Sequence, residues 1–205
     1  MSLIIAMSLF SLSMSISPGP VNLISLNTGA NAGFKGAFGF VSGATFGFTL
    51  LLLLIGWLLG AGVELAAQNT AAAGLVWMGY LGAGYLAYLG WKIASSDASP
   101  NRSEQVSPSF IQGAALQWLN PKAWIACVTG VSAFRLAGDT ALLLQFAGLY
   151  FVICYVSIAS WAWTGARLGQ LLGSASRLRW LNRLMGTSLM LLAAYLILSM
   201  LFNRL

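Results

Sequence analysis

The chain has 205 residues, of which 59% are apolar and only 7% are Asp, Glu, Lys or Arg, against about 25% charged residues in an ordinary soluble domain. So few charges cannot cover a water-soluble globule of this size, so a soluble catalytic or nucleic-acid-binding domain is excluded. At roughly 20 apolar residues per bilayer crossing, the chain has length for about six membrane-spanning helices and little else. Ten Lys and Arg against four acids is then a matter of membrane topology rather than of nucleic acid.

The rest of the composition narrows the chemistry. There is no histidine, and the four acids, Glu64, Asp97, Glu104 and Asp139, lie in or beside Gly-, Ser- or Asn-containing connections. No metal or cofactor site is expected from such a set, and no enzyme. Cys127 and Cys154 sit inside apolar runs, where a free thiol behaves as a small buried hydrophobe. The first sixteen residues are hydrophobic without a positive start, so they are taken as part of a span and not as a cleaved leader.

In chain order, apolar stretches fall at about 3–28, 37–61, 71–92, 110–134, 140–163 and 183–202, each near the length that crosses a hydrocarbon core of about 30 Å. The polar, Ser- and Pro-containing stretch 95–109 is expected to be a cytoplasmic linker. It divides one membrane domain, 1–205, into three-helix halves 1–94 and 110–205. Alternate connections place Lys35, Lys92, Arg102, Arg167, Arg177, Arg179 and Arg183 on one side and Arg135 and Arg204 on the other. The richer side is expected to be cytoplasmic, which puts both termini outside. The stretch 165–183, with Leu among its four arginines, suits either a short interfacial amphipathic helix or an ordinary loop.

Each half has a proline interruption in its first span: Ser17-Pro18-Gly19-Pro20 in the first, Asn120-Pro121 in the second. Three crossings separate the halves, so the second enters the bilayer from the opposite side. The expected fold is therefore an all-α integral membrane protein, six helices in a 3+3 inverted-topology repeat, with proline-broken first and fourth helices meeting near the midplane. Pro18 and Pro20 lack amide hydrogens, and Gly19 admits backbone angles that other residues avoid, so the helix ladder must break there. The break frees carbonyls on one side and, after Pro20, creates a half-helix N-terminus that attracts a carboxylate. A structural kink is the plain alternative. Two prolines around a glycine, at a depth where irregular backbone survives only beside protein or a cavity, favour a binding site.

Lys122 follows the second break, where a charge costs about 2.5–3.5 kcal/mol on insertion scales. No acid lies at similar depth. Lys122 therefore faces a hydrated cavity, caps carbonyls of a broken helix, or pairs with an anion of the substrate, unless it snorkels to the headgroups. Gly39, Gly43 and Gly47, and Gly165, Gly169 and Gly173, repeat every fourth residue and suit close helix packing, inside the chain or in a homodimer. Trp57, Trp77, Trp91, Trp161 and Trp180 fall near span ends. Trp118 and Trp124 flank the second break and suit either a cavity wall or packing.

These residues together resemble the lysine exporter/RhtB (LysE/RhtB) family of amino-acid exporters. The likeness spans nearly the whole chain: Ser17-Pro18-Gly19-Pro20, the Gly-rich second span, Tyr80-Leu81-Gly82-Ala83-Gly84-Tyr85-Leu86-Ala87-Tyr88-Leu89-Gly90-Trp91-Lys92, and Asn120-Pro121-Lys122-Ala123. The third-span ending and Ala115-Leu116-Gln117-Trp118 are most similar to the branch that exports cysteine and O-acetylserine. The resemblance implies a bacterial inner-membrane protein that moves amino acids out of the cytoplasm by secondary transport attributed to the proton motive force. Where the family often has Asp or Asn directly after Pro-Gly-Pro, this chain has Val21, then Asn22.

The expected substrate site is Ser17, Pro18, Gly19, Pro20, Asn22, Asn120, Pro121 and Lys122. Lys122 and the half-helix after Pro20 take the carboxylate; carbonyls near Ser17, with Asn22 and Asn120, take the ammonium. Without an acid to match a second positive charge, a neutral amino acid is expected rather than lysine or arginine. The proton is the expected coupling ion. Lys122 is the one titrating side chain at depth, and burial disfavours its charged form, so it is placed to take up a proton as substrate leaves. Alternating access is expected from rocking of one three-helix half against the other. Two other classes remain: a thiol-transfer protein of the disulfide-reductant conducting type, which needs cysteines beside both breaks, and a passive small-solute channel.

Overall fold

The computed structural model describes residues 2–61, 69–96 and 107–202. Glu64, Asp97, Glu104, Arg102, Arg204 and most of the polar linker lie outside the described residues. Among those described, every regular element is a helix, seven in all. Three of them, Pro20–Gly60, Thr140–Leu172 and Ala175–Phe202, are long and apolar enough to cross a membrane.

Helix α1 (Leu3–Ile16) starts at Ser2, whose hydroxyl accepts from the Ile5 amide, and stops before Pro18. Ser17 is extended (φ −64°, ψ 143°), as the ring of a following proline requires. Helix α2 (Pro20–Gly60) opens with its proline at the first helical position, where a missing N–H costs nothing. Gly33 interrupts α2 with φ 78°, ψ 172°, a conformation open essentially to glycine alone. The chain changes direction there. Before Gly33, Leu26 and Ala30 abut Gly165 and Gly169 in the same sense along helix α6 (Thr140–Leu172). Beyond it, Phe48 stacks on Tyr150 and Gly56 abuts Leu143, in the opposite sense. The first two expected spans thus share one continuous assignment, with the corner at Gly33.

Helix α3 is Asn69–Ala94, and the second break separates helix α4 (Phe110–Trp118) from helix α5 (Pro121–Ala133). A capping box opens α4: Ser109 Oγ accepts from the Gln112 amide, and Gln112 Oε1 accepts from the Ser109 amide. Asp139, the one acid among the described residues, caps α6 by accepting from the Leu142 amide. Helix α7 is Ala175–Phe202. No separate interfacial helix lies within 165–183. Helix α6 runs on to Leu172, Gly173 closes it in the left-handed region (φ 61°), and α7 begins two residues later. Leu168, Leu172, Leu178, Leu181 and Met185 explain why, since they gather around Ala30 in a small apolar cluster that closes this corner. Gly173 is thus a helix cap rather than part of a packing face.

Helix α2 packs chiefly on α6 and α4, and the glycines set how closely. A Cβ on Gly165 would overlap the Leu26 carbonyl and one on Gly43 the Phe110 carbonyl, the close backbone approach expected where apolar surface alone gives no drive to associate. Helices α3 and α7 pair with each other through Gly90 and Gly186 and touch the rest less. The tight seams therefore join the two sequence halves to one another.

Candidate functional site

The two breaks face each other. Lys122 Nζ donates to Ser17 Oγ (2.7 Å) and to the Ser17 carbonyl (3.0 Å), joining the start of α5 to the end of α1 across 105 residues of sequence. Of the three expected roles for Lys122, the carbonyl cap is the one found, and its stem also borders a cavity.

Backbone hydrogen bonding shows why these side chains sit here. The last turn of α1 leaves carbonyls that no helix continues to satisfy. Each is met from elsewhere: Met14 O by Ser17 Oγ (3.3 Å), Ser15 O by Asn22 Nδ2 (2.8 Å), Ile16 O by Trp161 Nε1 (3.0 Å), and Ser17 O by both Asn22 Nδ2 (2.9 Å) and Lys122. Asn22 is therefore a clamp over two carbonyls. Trp161, expected as an interfacial aromatic, braces the break through this hydrogen bond.

The amide ends of the two half-helices differ. At α5, Asn120 Oδ1 accepts from the Lys122 amide (3.2 Å) and the Asn120 carbonyl from the Ala123 amide (2.9 Å), so this terminus caps itself. At α2 the cap residue is Gly19, which offers no side chain, and no side-chain cap is made. The α2 terminus, at Val21 and Asn22, borders the cavity and keeps its positive end available to an anion.

The cavity has a volume of about 40 Å³, enough to admit water. Its lining mixes polar groups, from Ser15, Asn22, Gln117, Asn120 and Lys122, with apolar ones, chiefly from Met14, Val21, Phe48, Tyr150 and Ile158. Four expected residues, Gly19, Asn22, Asn120 and Lys122, line it, and Ser17 reaches it through Lys122. Pro18 is exposed, and Pro20 and Pro121 are outside the lining. The prolines make the breaks without facing the space between them.

Ser15, Gln117, Phe48, Tyr150 and Cys154 are additions of the structure. Ser15 precedes the break by two residues, and its buried hydroxyl near Tyr150 and Cys154 closes no hydrogen bond. Tyr150 and Cys154, one turn apart on α6, carried no sequence signal beyond a polar atom in an apolar run. Trp118 and Trp124 do not line the cavity: Trp124 Nε1 donates to the Trp118 carbonyl (2.7 Å) and Trp118 Nε1 to the Gly47 carbonyl (3.1 Å), so both brace the second break. Neither cysteine forms a disulfide, and both are buried.

Residues 12–200 match the family model of the LysE type translocator. Over 154 residues the chain is 30% identical to the cysteine/O-acetylserine efflux protein of Escherichia coli (strain K12), covering 71% of this chain and 76% of that protein. The same figures hold for the cysteine/O-acetylserine efflux proteins of Shigella flexneri serotype 5b (strain 8401) and Shigella sonnei (strain Ss046). No solved structure matches.

Proposed function

The chain belongs to the LysE type translocator family, and we propose that it is a secondary active exporter, moving neutral amino acids or close derivatives out of the cytoplasm at the expense of the proton motive force. On this reading it is one transporter unit of the inner membrane, with six crossings in two oppositely oriented halves joined by the 95–109 linker, and both termini outside. The first crossing is α1 with the start of α2, and the fourth is α4 with α5.

One observation carries the reading. At the first break the carbonyl end of α1 and the uncapped amide end of α2 flank a single cavity. A helix cut in two presents a partial negative and a partial positive charge side by side, the complement of a zwitterion's ammonium and carboxylate. Lys122 supplies a full positive charge on the same space, and no carboxylate side chain among the described residues faces it. A substrate with a second positive charge would find no counter-charge there, in a setting of low dielectric. Met14, Phe48, Tyr150 and Ile158 offer apolar surface for a short side chain. The substrates named for the cysteine/O-acetylserine efflux relatives are of this kind, zwitterions with short neutral side chains, and support the same class.

The test is a competition screen in inside-out vesicles carrying the purified protein under an imposed proton gradient, with neutral, sulfur-containing, basic and acidic amino acids. Accumulation against a gradient and preference for neutral compounds are expected. Strong preference for lysine or arginine would refute the charge argument, and flux that never exceeds equilibrium would indicate a channel.

A further inference from the structure

The Ser17 acceptors that suit a substrate's ammonium are already taken by a group of the same chemistry, the Lys122 ammonium. Lysine ends in a CH2–NH3⁺ group; an amino acid offers the same three-donor ammonium on its α-carbon. We propose that Lys122 is a tethered stand-in for the substrate: its Nζ fills the Ser17 shelf in the empty transporter, and loading requires the substrate's ammonium to displace it. This rests on the exporter reading above.

Three features carry the proposal. Lys122 Nζ is held by Ser17 alone, through Oγ at 2.7 Å and O at 3.0 Å, with no carboxylate among the described residues to pin it. The lysine faces Gly19 on its flank. Even a Cβ there would lie 3.5 Å from Nζ and 3.6 Å from Cδ, so the backbone leaves a margin through which the stem can swing. Finally, Lys122 is itself part of the cavity's lining, so its departure from Ser17 enlarges the space that an amino acid must enter. Vacating Ser17 frees the acceptors where a zwitterion's ammonium belongs, with the α2 amides beside them for the carboxylate.

The step accounts for coupling without a carboxylate from the described residues at the site. When substrate binds from the cytoplasm, its ammonium takes the Ser17 acceptors, and Nζ gives its proton to cytoplasmic water. After substrate leaves on the outside, the neutral amine takes a proton from external water and returns to the shelf. One proton moves inward for each zwitterion exported, and the empty carrier crosses back with its site filled. Without the stand-in, an empty carrier must return with Ser17 Oγ lacking its donor and the Ser17 carbonyl left to Asn22 alone at membrane depth, which is costly.

The measurement compares net efflux into substrate-free buffer with exchange against the same amino acid on the far side, in proteoliposomes, for wild type and Lys122→Met. The ratio of net efflux to exchange is expected to fall about tenfold or more, the scale of losing a charged hydrogen bond, even though exchange itself slows. For Lys122→Ala, millimolar methylammonium on the release side is expected to restore net efflux by refilling the shelf, which a misfolded protein would not show. Equal loss of both fluxes without rescue would overturn the proposal, as would net efflux that persists but no longer responds to pH. Should wild type move no amino acid at all, the exporter reading falls, and this proposal with it.

Discussion

Asn22→Leu tests whether the first break is held as described. Asn22 is 4% exposed, and its amide nitrogen donates to Ser15 O and, beside Lys122, to Ser17 O. Leucine is close in size and cannot donate. Leaving a buried acceptor unsatisfied costs about 1–3 kcal/mol, and losing one of two donors to the other adds about 0.5–1.5 kcal/mol, so the variant should be destabilised by roughly 2–4 kcal/mol. For a chain of this length, each kcal/mol shifts the melting midpoint by about 2–4 °C, so the intrinsic-tryptophan melt in mild detergent should fall by roughly 5–15 °C. Net efflux should fall as well, because the shelf loses its shape. A midpoint within about 2 °C of wild type would mean that Asn22 does not clamp these carbonyls and would remove the structural basis of the site.

Other consequences are more local. Gly33→Ala places a Cβ on a backbone with φ 78° and should cost about 1–3 kcal/mol, seen as a lower melting midpoint; an unchanged midpoint would show that the corner is not at Gly33. Gly165→Val drives its side chain into the Leu26 carbonyl and should part α6 from α2, losing folded yield on size exclusion, whereas Gly84→Ala, with open space around it, should behave as wild type. Replacing Cys127 and Cys154 with serine should leave measurable export, with an altered KM because Cys154 lines the cavity; complete loss would favour thiol transfer.

The sequence made the break-forming residues legible because proline and glycine act locally. Pro18, Pro20 and Pro121 forbid a continuous ladder whatever surrounds them. Lys122 stood out through charge at depth, and its partnership with Ser17 follows once the breaks meet. What could not be read were consequences of packing. Tyr150 and Phe48 border the cavity only because α6 lies against the second part of α2. Asn27, Asn31 and Asn182, far apart in sequence, form a buried network. Asn27 and Asn31 donate to Asn182 Oδ1 at 2.8 and 2.7 Å, and Asn182 donates to Asn31 Oδ1 (3.2 Å) and Ser96 Oγ (3.0 Å). Sequence order also does not say which helices touch.

That packing bears on which part moves. Were the first half to rock against the second, α2 would have to slide on α6 and α4, where Gly29, Gly43, Gly47, Gly113, Gly165 and Gly169 bring backbones into contact. Such seams are discrete in register, and shifting them means unpacking many contacts at once. The α3–α7 pair is joined to the rest more sparingly. Gly82 rests against the Leu119 carbonyl at the second break, and the asparagine network fastens Asn182 to α2 at the end of the molecule bearing Lys35 and the clustered arginines. Buried amide hydrogen bonds of this kind hold one arrangement firmly yet can exchange for water when a path opens beside them. The α3–α7 pair is thus the part able to move while the site on α1, α2 and α5 keeps its shape. Joining Asn27→Cys to Asn182→Cys with a short bismaleimide, in a background where both native cysteines are serine, should stop net efflux and leave the melting midpoint unchanged or higher. Transport that continues through the cross-linked protein would return the motion to the glycine seams.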